Sequence, residues 1–359
     1  MKPPPLRDGE WVRGVEEVFL KNCWYLAAWA DELGENEGLA RRIAGEYVLF
    51  LRDREGAARA LADSCPHRLV PLSRGRCEAG EVTCAYHGLR FAADGRCLDN
   101  PHGPISSALR VRAYGCVERH DALWLWLGDA PADPALIPDY GFIDRTPRPA
   151  RVKGYLHSFS DYRLMVDNIM DLTHADYLHA SSLGGGINSR ARMDARQEGE
   201  DVVIDWTAEN DTLAPLHVRA LGKGDGRGDF FNQVRWQAPG NMVQRIMLAL
   251  PGEMATHPAD SMTCHVMTPE TATSTHYFFC HTSDAVTGNP EIAPMIAEQL
   301  VGAFADEDAP MLAAQTQRIG GLDFWDLKPA LLPSDKGAVL VRRTFDRMVA
   351  REGGQEGAC

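Results

Sequence analysis

Two short cysteine–histidine motifs in the first third of the chain constrain its fold more than any other feature. Cys65 and His67 form a C-x-H motif, and Cys84 and His87 form a C-x-x-H motif, with 16 residues between the two halves. The surrounding region, residues 24–127, alternates short apolar runs with Gly, Asp and Pro turns, which predicts short strands. The four side chains can reach one site if each motif lies on its own loop. The pattern therefore predicts two facing loops on a β-rich domain.

The ligand types in these motifs indicate which metal they hold. Two thiolates on one iron and two imidazoles on the other form a Rieske-type 2Fe–2S centre. A structural Cys₂His₂ zinc site is the competing interpretation, but zinc motifs usually place like ligands together. Cys77 and Cys97 lie outside the ligand spacing, and we expect both to be small buried residues.

A second metal pattern lies in residues 167–179. Asn168, Asp171 and His174 are spaced i, i+3 and i+6, so a helix would align them on one side. His179 comes five residues after His174, and we expect the helix to loosen there so that both imidazoles face one point. Two His and a distant carboxylate form the facial triad of non-haem Fe(II) oxygenases. An ordinary helix with two histidines is the alternative, and the upstream motifs argue against it.

The missing carboxylate is expected from a distant segment. Residues 290–318 show helical spacing of apolar side chains, and Pro310 should kink or interrupt the helix. The acidic triplet Asp306-Glu307-Asp308 lies on this helix. Such triplets are usually solvated, but one member could complete the triad. The spacing alone leaves open which residue does so.

The whole chain is predicted to be an α+β protein of two domains. We expect a β-rich 2Fe–2S domain with an N-terminal arm at 1–130, a Pro-rich linker at 131–151, and a catalytic domain at 152–359. Strand-like segments between 201 and 282 predict a curved antiparallel sheet around a helix, a helix-grip-like arrangement. The glycines at 184–186 form either a lid over the substrate mouth or a simple turn.

Charge and hydropathy narrow the classes of partner. The net charge of −13 argues against nucleic acids and anionic membranes. We see no signal peptide and no apolar stretch long enough to span a bilayer, so we expect a cytoplasmic protein with reduced thiols. No G-x-G-x-x-G motif follows a strand, which argues against nicotinamide binding by this chain.

The two metal patterns, in this order, resemble the oxygenase (alpha) component of Rieske non-haem iron oxygenases. Within that family the chain is similar to the vanillate O-demethylase and dicamba O-demethylase branch. The similar segments are residues 264–271, residues 276–279, and Glu307-Asp308 ahead of Gln315. The resemblance extends from Trp24 to the last helix.

The resemblance implies roles for individual residues. Cys65, His67, Cys84 and His87 would hold the cluster, and His174, His179 and Asp308 the iron, with Asp306 as the alternative third ligand. Asp171 would be a bridging carboxylate, and Asn168 would lie close to the iron. The resemblance also implies a head-to-tail homotrimer in which electrons pass from the cluster of one subunit to the iron of the next through His87, Asp171 and His174. A separate reductase with a flavin and a 2Fe–2S domain would supply the electrons.

The expected reaction uses O₂ to hydroxylate a small aromatic substrate. The first expectation is O-demethylation of a methoxylated aromatic acid, vanillate-like, to a phenol and formaldehyde. N-demethylation and ring-methyl or ring hydroxylation are alternatives, and a non-catalytic electron-transfer or zinc-binding protein is a remote one. His265 and Gln244 fall on adjacent predicted strands and could point into the pocket, with Arg245 pointing the opposite way. His217, Arg219 and Arg235 are further, unranked candidates for the pocket.

Overall fold

The computed structural model describes residues 19–180 and 184–356, with side chains through residue 354. In the described N-terminal part, six strands form one antiparallel sheet in the order β1-β10-β9-β4-β3-β2, and four short strands form another in the order β5-β6-β7-β8. The strands are β1 (Trp24–Trp29), β2 (Gly38–Ile43), β3 (Glu46–Arg52), β4 (Ala58–Ala62), β5 (Arg76–Glu78), β6 (Glu81–Thr83), β7 (Arg90–Ala92), β8 (Cys97–Asp99), β9 (Ala113–Arg119) and β10 (Ala122–Trp126). The cysteine–histidine motifs occupy the β4–β5 and β6–β7 connections, as two-loop ligation requires.

The C-terminal part is built on a seven-stranded antiparallel sheet in the order β11-β17-β16-β15-β14-β13-β12. Its strands are β11 (Val152–Ser158), β12 (Arg192–Glu198), β13 (Asp201–Thr212), β14 (Arg227–Gln237), β15 (Asn241–Ala249), β16 (Ala259–Thr271) and β17 (Ser274–Ser283). The described α-helices are α1 (Gly141–Arg145), α2 (Tyr162–Met170), α3 (Ala175–Leu178), α4 (Ile187–Arg190), α5 (Pro215–Leu221), α6 (Asp284–Gly288), α7 (Ala293–Gly302), α8 (Ala309–Ile319) and α9 (Lys336–Glu356). The predicted α+β class and the antiparallel sheet are confirmed.

Side-chain alternation gives this sheet two different faces. On β16, Met267 packs in the core beneath the helices, whereas Cys264 and Val266 join a separate apolar cluster. That second cluster brings the outer face of the sheet against Trp24 and Trp124 of the N-terminal domain. Burial of side chains this large contributes on the order of 2–3 kcal/mol each. The two domains therefore share an apolar interface, and the inner face remains for the helices and the site.

The connection between the two sheets is partly helical. Residues 131–151 contain α1 and two short 3₁₀ turns, Pro134–Leu136 and Arg148–Ala150. Tyr140 and Phe142 are buried in the interdomain cluster, so this Pro-rich segment is packed between the domains. The predicted linker at 131–151 lies within the segment between β10 and β11, and the division of the chain there stays a prediction.

The helix predicted over 290–318 follows a continuous helical path with a change of pitch in the middle. α7 runs into a π-helical turn, Ala303–Asp308, which leads directly into α8. Pro310 lies in the first turn of α8, where a helix tolerates the missing N–H and the ring of proline. The wider π-helical turn directly precedes α8. The helix is therefore not broken at Pro310; the irregularity expected there takes the form of the π-helical turn just before it. Among the described helices, none combines the length and the apolarity needed to cross a membrane.

Candidate metal centres and substrate pocket

The two cysteine–histidine loops repeat the same backbone turn. The Cys65 N–H donates to the Val70 carbonyl (2.9 Å), and the Leu69 N–H donates back to the Cys65 carbonyl (2.8 Å). In the second loop the Cys84 N–H donates to Leu89 (2.8 Å) and the Gly88 N–H donates to Cys84 (3.0 Å). The fourth residue after each cysteine, Leu69 or Gly88, has a left-handed φ of 57° or 74°. Each turn therefore fixes a cysteine and the histidine that follows it.

The ligand side chains in these loops fit a two-iron cluster. Cys65 and Cys84 are 1% and 2% exposed, while the rings of His67 and His87 lie at the outer end with centroids 4.5 Å apart. Burial raises the pKa of the Cys65 thiol, and the adjacent Cys84 thiol raises it further, so a bound cation is needed to favour the thiolates. His87 Nδ1 is buried with no hydrogen-bond partner in the described structure. Two buried thiols beside two imidazoles, one of them with an unpaired nitrogen, match the donor set of a Rieske cluster. Cys77 and Cys97 are only partly buried.

The predicted helix through residues 167–174 is wrong beyond Met170. α2 ends there, and Asp171 adopts an extended conformation (φ −133°, ψ 96°). Its carboxylate accepts from the backbone N–H of Thr173 (2.9 Å) and from the Thr173 hydroxyl (2.7 Å). This capping stops the helix and starts the 3₁₀ turn Leu172–His174, which continues into α3. The break therefore comes before His174, where a side-chain cap competes with the helix, and not between the two histidines.

The broken helix and the π-helical turn bring three ligand atoms together. One ligand atom from each of His174, His179 and Asp308 lies within 4.8 Å of the other two. Asp308 Oδ2 is 3.2 Å from His179 Nε2, and its Oδ1 is 3.5 Å from His174 Nε2. Asp308 is 6% exposed, whereas Asp306 lies on the exposed side of the turn. The geometry therefore favours Asp308 over Asp306 as the third ligand, and the three side chains match the donor set of the facial triad of non-haem iron sites.

Backbone and amide groups orient the His174 ligand. His174 Nδ1 lies 2.6 Å from the Asp171 carbonyl oxygen, so Nδ1 carries the proton and Nε2 presents its lone pair. The Asn168 amide nitrogen lies 3.3 Å from that Nε2 and 3.1 Å from Asp308 Oδ1, between two ligand atoms that an iron would join. Asn168 Oδ1 is buried and unpaired among the described residues. These contacts place Asn168 beside two of the three candidate ligands, and its proximity to an iron stays a prediction.

The sequence reasoning missed Glu307 as a functional residue. Its carboxylate accepts a short hydrogen bond from His179 Nδ1 while Asp308 faces Nε2 of the same ring. Hydrogen bonding to Asp308 and then to Glu307 raises the pKa of His179 to about 8, although burial opposes the shift. Such a carboxylate fixes the tautomer of a histidine ligand and increases its basicity. Its position beside Asp308 in the triplet was a signal, but the pitch of the π-helical turn was not visible in the sequence.

The expected contact between the Asp171 side chain and His174 is absent within the described chain. His174 is held by the Asp171 carbonyl, and Asp171 Oδ1 bonds Thr173. Both hydrogen bonds from Thr173 use Oδ1, and Asp171 Oδ2 accepts none from the described residues. A bridging role therefore stays a prediction that depends on a second subunit.

The loop after His179 is only partly described, because residues 181–183, just before the predicted lid at 184–186, lie outside the described residues. The Gly184 N–H donates to the His179 carbonyl (2.9 Å), and the Gly186 N–H donates to Asp176 Oδ1 (2.9 Å). Gly185 and Gly186 have φ values of 121° and 82°, which suit glycine. The described end of the loop is therefore fastened to α3, and the lid stays a prediction.

The two residues expected in the pocket do point to the same place. His265 Nε2 lies 3.1 Å from Gln244 Oε1, and His265 Nδ1 lies 2.8 Å from the Tyr277 hydroxyl. The Gln244 amide donates to Asn232 Oδ1 (3.2 Å). Arg245 faces the other way and pairs with Asp260 at 2.7 Å, as strand alternation predicted. Four strands thus contribute to a polar patch on the inner face, with Asn232 and Tyr277 as members the sequence did not single out.

The unranked pocket candidates separate by position. Arg235 lies on the outer face, where it pairs with Glu198 and Asp201, and Arg219 is exposed on α5. His217 is 6% exposed, and its Nδ1 is buried without a partner in the described structure. Burial lowers the pKa of His217 to about 4, so its ring is neutral. Of these three, only His217 is a buried polar group beside the inner face.

Comparison with known proteins adds an independent finding. Residues 23–111 match the Rieske [2Fe-2S] domain family, and residues 159–351 match the vanillate O-demethylase oxygenase C-terminal domain family. The chloroacetanilide N-alkylformylase oxygenase component of Rhizorhabdus wittichii is 35% identical, over 94% of this chain and 97% of that protein. The dicamba O-demethylase oxygenase component of Stenotrophomonas maltophilia is 35% identical, over 92% and 98%. The vanillate O-demethylase oxygenase subunit of a Pseudomonas species is 35% identical, over 93% and 96%.

Solved structures agree with these sequence matches. A crystal structure of dicamba monooxygenase bound to 3,6-dichlorosalicylic acid superposes with a TM-score of 0.87 at 32% identity, covering 94% of this chain and 99% of that chain. Dicamba monooxygenase with non-haem iron and dicamba gives a TM-score of 0.81 at 31% identity, with the same coverage. Both domains and their order are therefore shared.

Proposed function

The chain belongs to the Rieske non-haem iron oxygenases, as an oxygenase component of the demethylating monooxygenase type, and from this premise we propose that it removes a methyl group from a small methoxylated aromatic substrate. The enzyme is an oxidoreductase with a Rieske 2Fe–2S cluster and a mononuclear iron, and it acts with a separate reductase. The observation that carries the proposal is the presence in one chain of the paired Cys–His loops and the His174–His179–Asp308 set.

The proposed reaction consumes one O₂, two electrons and two protons per methyl group. One oxygen atom enters a C–H bond of the aryl methyl ether, and the other leaves as water. The resulting hemiacetal collapses to a phenol and formaldehyde. When bound, the mononuclear iron supplies the oxygen chemistry, because a facial triad leaves open positions for dioxygen.

The chain's own residues prepare the site for this chemistry. The Asp171 carbonyl and Glu307 hold the Nδ1 protons of His174 and His179, so each ring directs its Nε2 lone pair inward. Gln244 and His265 provide hydrogen bonds that can orient a substrate on the inner face. Holding a substrate near its reactive geometry accounts for much of the rate enhancement in such sites.

We further propose the head-to-tail homotrimer and the electron route through His87, Asp171 and His174. Two observations support it. Leu69 and Tyr86, beside the cluster ligands, are 75% and 60% exposed, and Tyr177, between the two iron histidines, is 80% exposed. Exposed apolar side chains at both metal ends are suited to contact with another subunit. The available Asp171 Oδ2 could then accept from a partner imidazole.

The substrate within this class is supported less directly. Two of the relatives are O-demethylases named for vanillate and dicamba, which favours a methoxylated aromatic acid, while the third is named a chloroacetanilide N-alkylformylase. N-demethylation or N-dealkylation of an anilide is therefore the second candidate.

The proposed function is tested with the purified oxygenase, a flavin and 2Fe–2S reductase, and NAD(P)H. We expect substrate-dependent O₂ uptake with one formaldehyde per O₂ for an accepted methoxylated aromatic. His174→Ala is the matched control, because it should keep the cluster spectrum and lose turnover. Ring hydroxylation without formaldehyde, or a colourless protein with stoichiometric zinc, would reject demethylation or the oxygenase assignment respectively.

A further inference from the structure

Both histidines of the candidate iron site flank a helix of a single turn. His174 directly precedes α3 and His179 directly follows it, so the four residues of α3 set the separation of the two rings. A helix this short is not stable by itself, because forming the first turn fixes several residues for one hydrogen bond. Its apolar packing is limited, since Ala175 buries only a methyl group and Tyr177 is 80% exposed. The position of α3 therefore depends on its polar contacts with other segments.

Asp176, within α3, makes four such contacts, all with the start of α4. Its Oδ1 accepts from the backbone N–H of Gly186 (2.9 Å) and from the side-chain amide of Asn188 (3.2 Å). Its Oδ2 accepts from the backbone N–H of Ser189 (2.7 Å) and from the Ser189 hydroxyl (2.6 Å). Hydrogen bonds to an ionised carboxylate are about twice as strong as those between neutral groups. Both oxygens of Asp176 therefore bind α4.

α4 is in turn anchored to the catalytic sheet. Ile187 is fully buried, Arg190 pairs with Asp211 of β13 (3.1 Å), and α4 leads directly into β12. The N-cap residue of α4 is Gly186, which has no side chain to accept from the free N–H groups of the first turn. Asp176 supplies that acceptor from another segment, as an N-cap side chain usually does. One carboxylate therefore caps α4 and ties α3 to the edge of the sheet.

The separation of the two imidazoles depends on this tie. The ring centroids of His174 and His179 are 5.4 Å apart, and Asp308 contacts both rings. The Asp171 carbonyl and the Glu307 carboxylate each orient one ring through its Nδ1. These two hydrogen bonds do not fix the distance between the backbone positions that carry the rings. The position of α3 fixes that distance.

We propose that Asp176 is a positioning residue for the mononuclear iron, because its hydrogen bonds to α4 hold His174 and His179 at the separation that the metal needs. The inference rests on the proposed iron site and does not depend on the identity of the substrate. When the tie is lost, α3 moves more freely and the two rings separate more often. A bound Fe(II) then loses one of its ligands more often, so it should leave the protein faster.

The test measures the release of Fe(II) from the purified enzyme with both metals bound and the cluster oxidised. Under anaerobic conditions the enzyme is mixed with an excess of a chromogenic Fe(II) chelator, and acid-labile sulfide reports whether the cluster stays intact. Asp176→Asn keeps one acceptor oxygen but turns an NH₂ group toward the other donors. We expect this variant to release Fe(II) about three- to tenfold faster than wild type, less than the loss of about 10- to 100-fold in affinity when a direct partner of a ligand is removed.

Asp229→Asn is the matched control for a purely structural effect. Asp229 is 7% exposed and also accepts from two backbone N–H groups, those of Asn210 (2.8 Å) and Gly252 (2.8 Å), but neither partner belongs to α3 or α4. This variant should lower the thermal stability and leave the rate of Fe(II) release unchanged. Near-infrared magnetic circular dichroism of the Fe(II) should shift in Asp176→Asn and not in Asp229→Asn, because only the first changes the ligand geometry.

Ser189→Ala tests the same tie from the side of α4. It removes one of the four donors at an exposed position where water can replace it, so release should be only about twofold faster. In the double variant with Asp176→Asn, the combined acceleration should be smaller than the product of the single effects, because both changes act on one contact. Independent effects of the two changes would overturn the proposed connection.

The outcomes separate this inference from the proposed function. Wild-type release from a folded Asp176→Asn enzyme, or an equal acceleration in Asp229→Asn, would overturn the inference and leave the proposed function intact. A wild-type enzyme that retains its cluster but binds no mononuclear iron would reject the iron site itself. If Asp176→Asn does not fold, Ser189→Ala decides, and wild-type release from that variant would overturn the inference.

Discussion

Replacing Glu307 tests whether a single hydrogen bond holds His179, a proposed iron ligand, in its binding tautomer. The His179 ring is 3% exposed, with Nδ1 on Glu307 and Nε2 on Asp308. Glu307→Ala removes the Nδ1 partner and leaves Asp308 in place. The ring could then rotate or exchange its protonated nitrogen, so Nε2 would present its lone pair less often.

The expected size of the effect follows from the exposure of Glu307. Loss of a hydrogen-bond partner behind a metal-bound histidine typically weakens metal binding about 10- to 100-fold, or about 1.4–2.8 kcal/mol. The Glu307 side chain is 34% exposed, so water can replace part of its hydrogen bonding to His179. We therefore expect Glu307→Ala to weaken Fe(II) binding by about tenfold, the lower end of that range. Glu307→Gln keeps an acceptor but loses the charge, so its effect should be smaller.

The assay is Fe(II) competition between the protein and a chromogenic chelator under anaerobic conditions. The visible spectrum of the 2Fe–2S cluster reports folding of each variant independently of the mononuclear site. Asp306→Asn is the matched control, since it removes an adjacent but exposed carboxylate of the same triplet. Wild-type affinity in Glu307→Ala, or an equal loss in Asp306→Asn, would refute the proposed role of Glu307.

Three further outcomes are expected. Asp171→Asn should keep both metals but stall electron delivery, seen as slow cluster reoxidation in the presence of O₂ and an accepted substrate; normal turnover would contradict the bridging role. Arg342→Ala breaks the bidentate ion pair with Asp167 that joins α9 to α2. In urea titrations this variant should lower the free energy of unfolding by about 3 kcal/mol. A double variant with both residues changed to Leu should recover most of that loss. Burial lowers the pKa of His276 from 6.5 to about 4, so between pH 6.5 and pH 4 the unfolded chain binds a proton that the native state does not. The free energy of unfolding should therefore fall as the pH drops from 6.5 to 4. His276→Gln should reduce the slope of this pH dependence by close to one proton.

Local chemistry explains why several features were predictable from the sequence. The cluster motifs were predictable because ligand type and spacing within a short loop directly limit which metal can bind. The opposite directions of Gln244 and Arg245 follow from the two-residue period of a strand, and the hydrogen bond to His265 and the pair with Asp260 confirm them. Neither feature depends on distant parts of the chain.

Side-chain capping and helix pitch explain where sequence reasoning failed. Helical periodicity predicted an unbroken helix through Asp171, but its carboxylate caps Thr173 and ends α2. Periodicity reflects the spacing of residues along a helix and does not show that a side-chain carboxylate can accept from the backbone N–H groups and end the helix. The π-helical turn changed the residues that face inward, so Glu307 and Asp308 both reach His179 while Asp306 does not.

The sequence by itself therefore determined the cofactor types, the order of the domains and the alternation of each strand. Tertiary structure alone decided that Asp308 and not Asp306 lies beside the two histidines, and that Glu307 is the partner of His179. The physical reason is that ligand chemistry and strand period act over a few residues, whereas the meeting of α3 with the π-helical turn joins segments more than 120 residues apart.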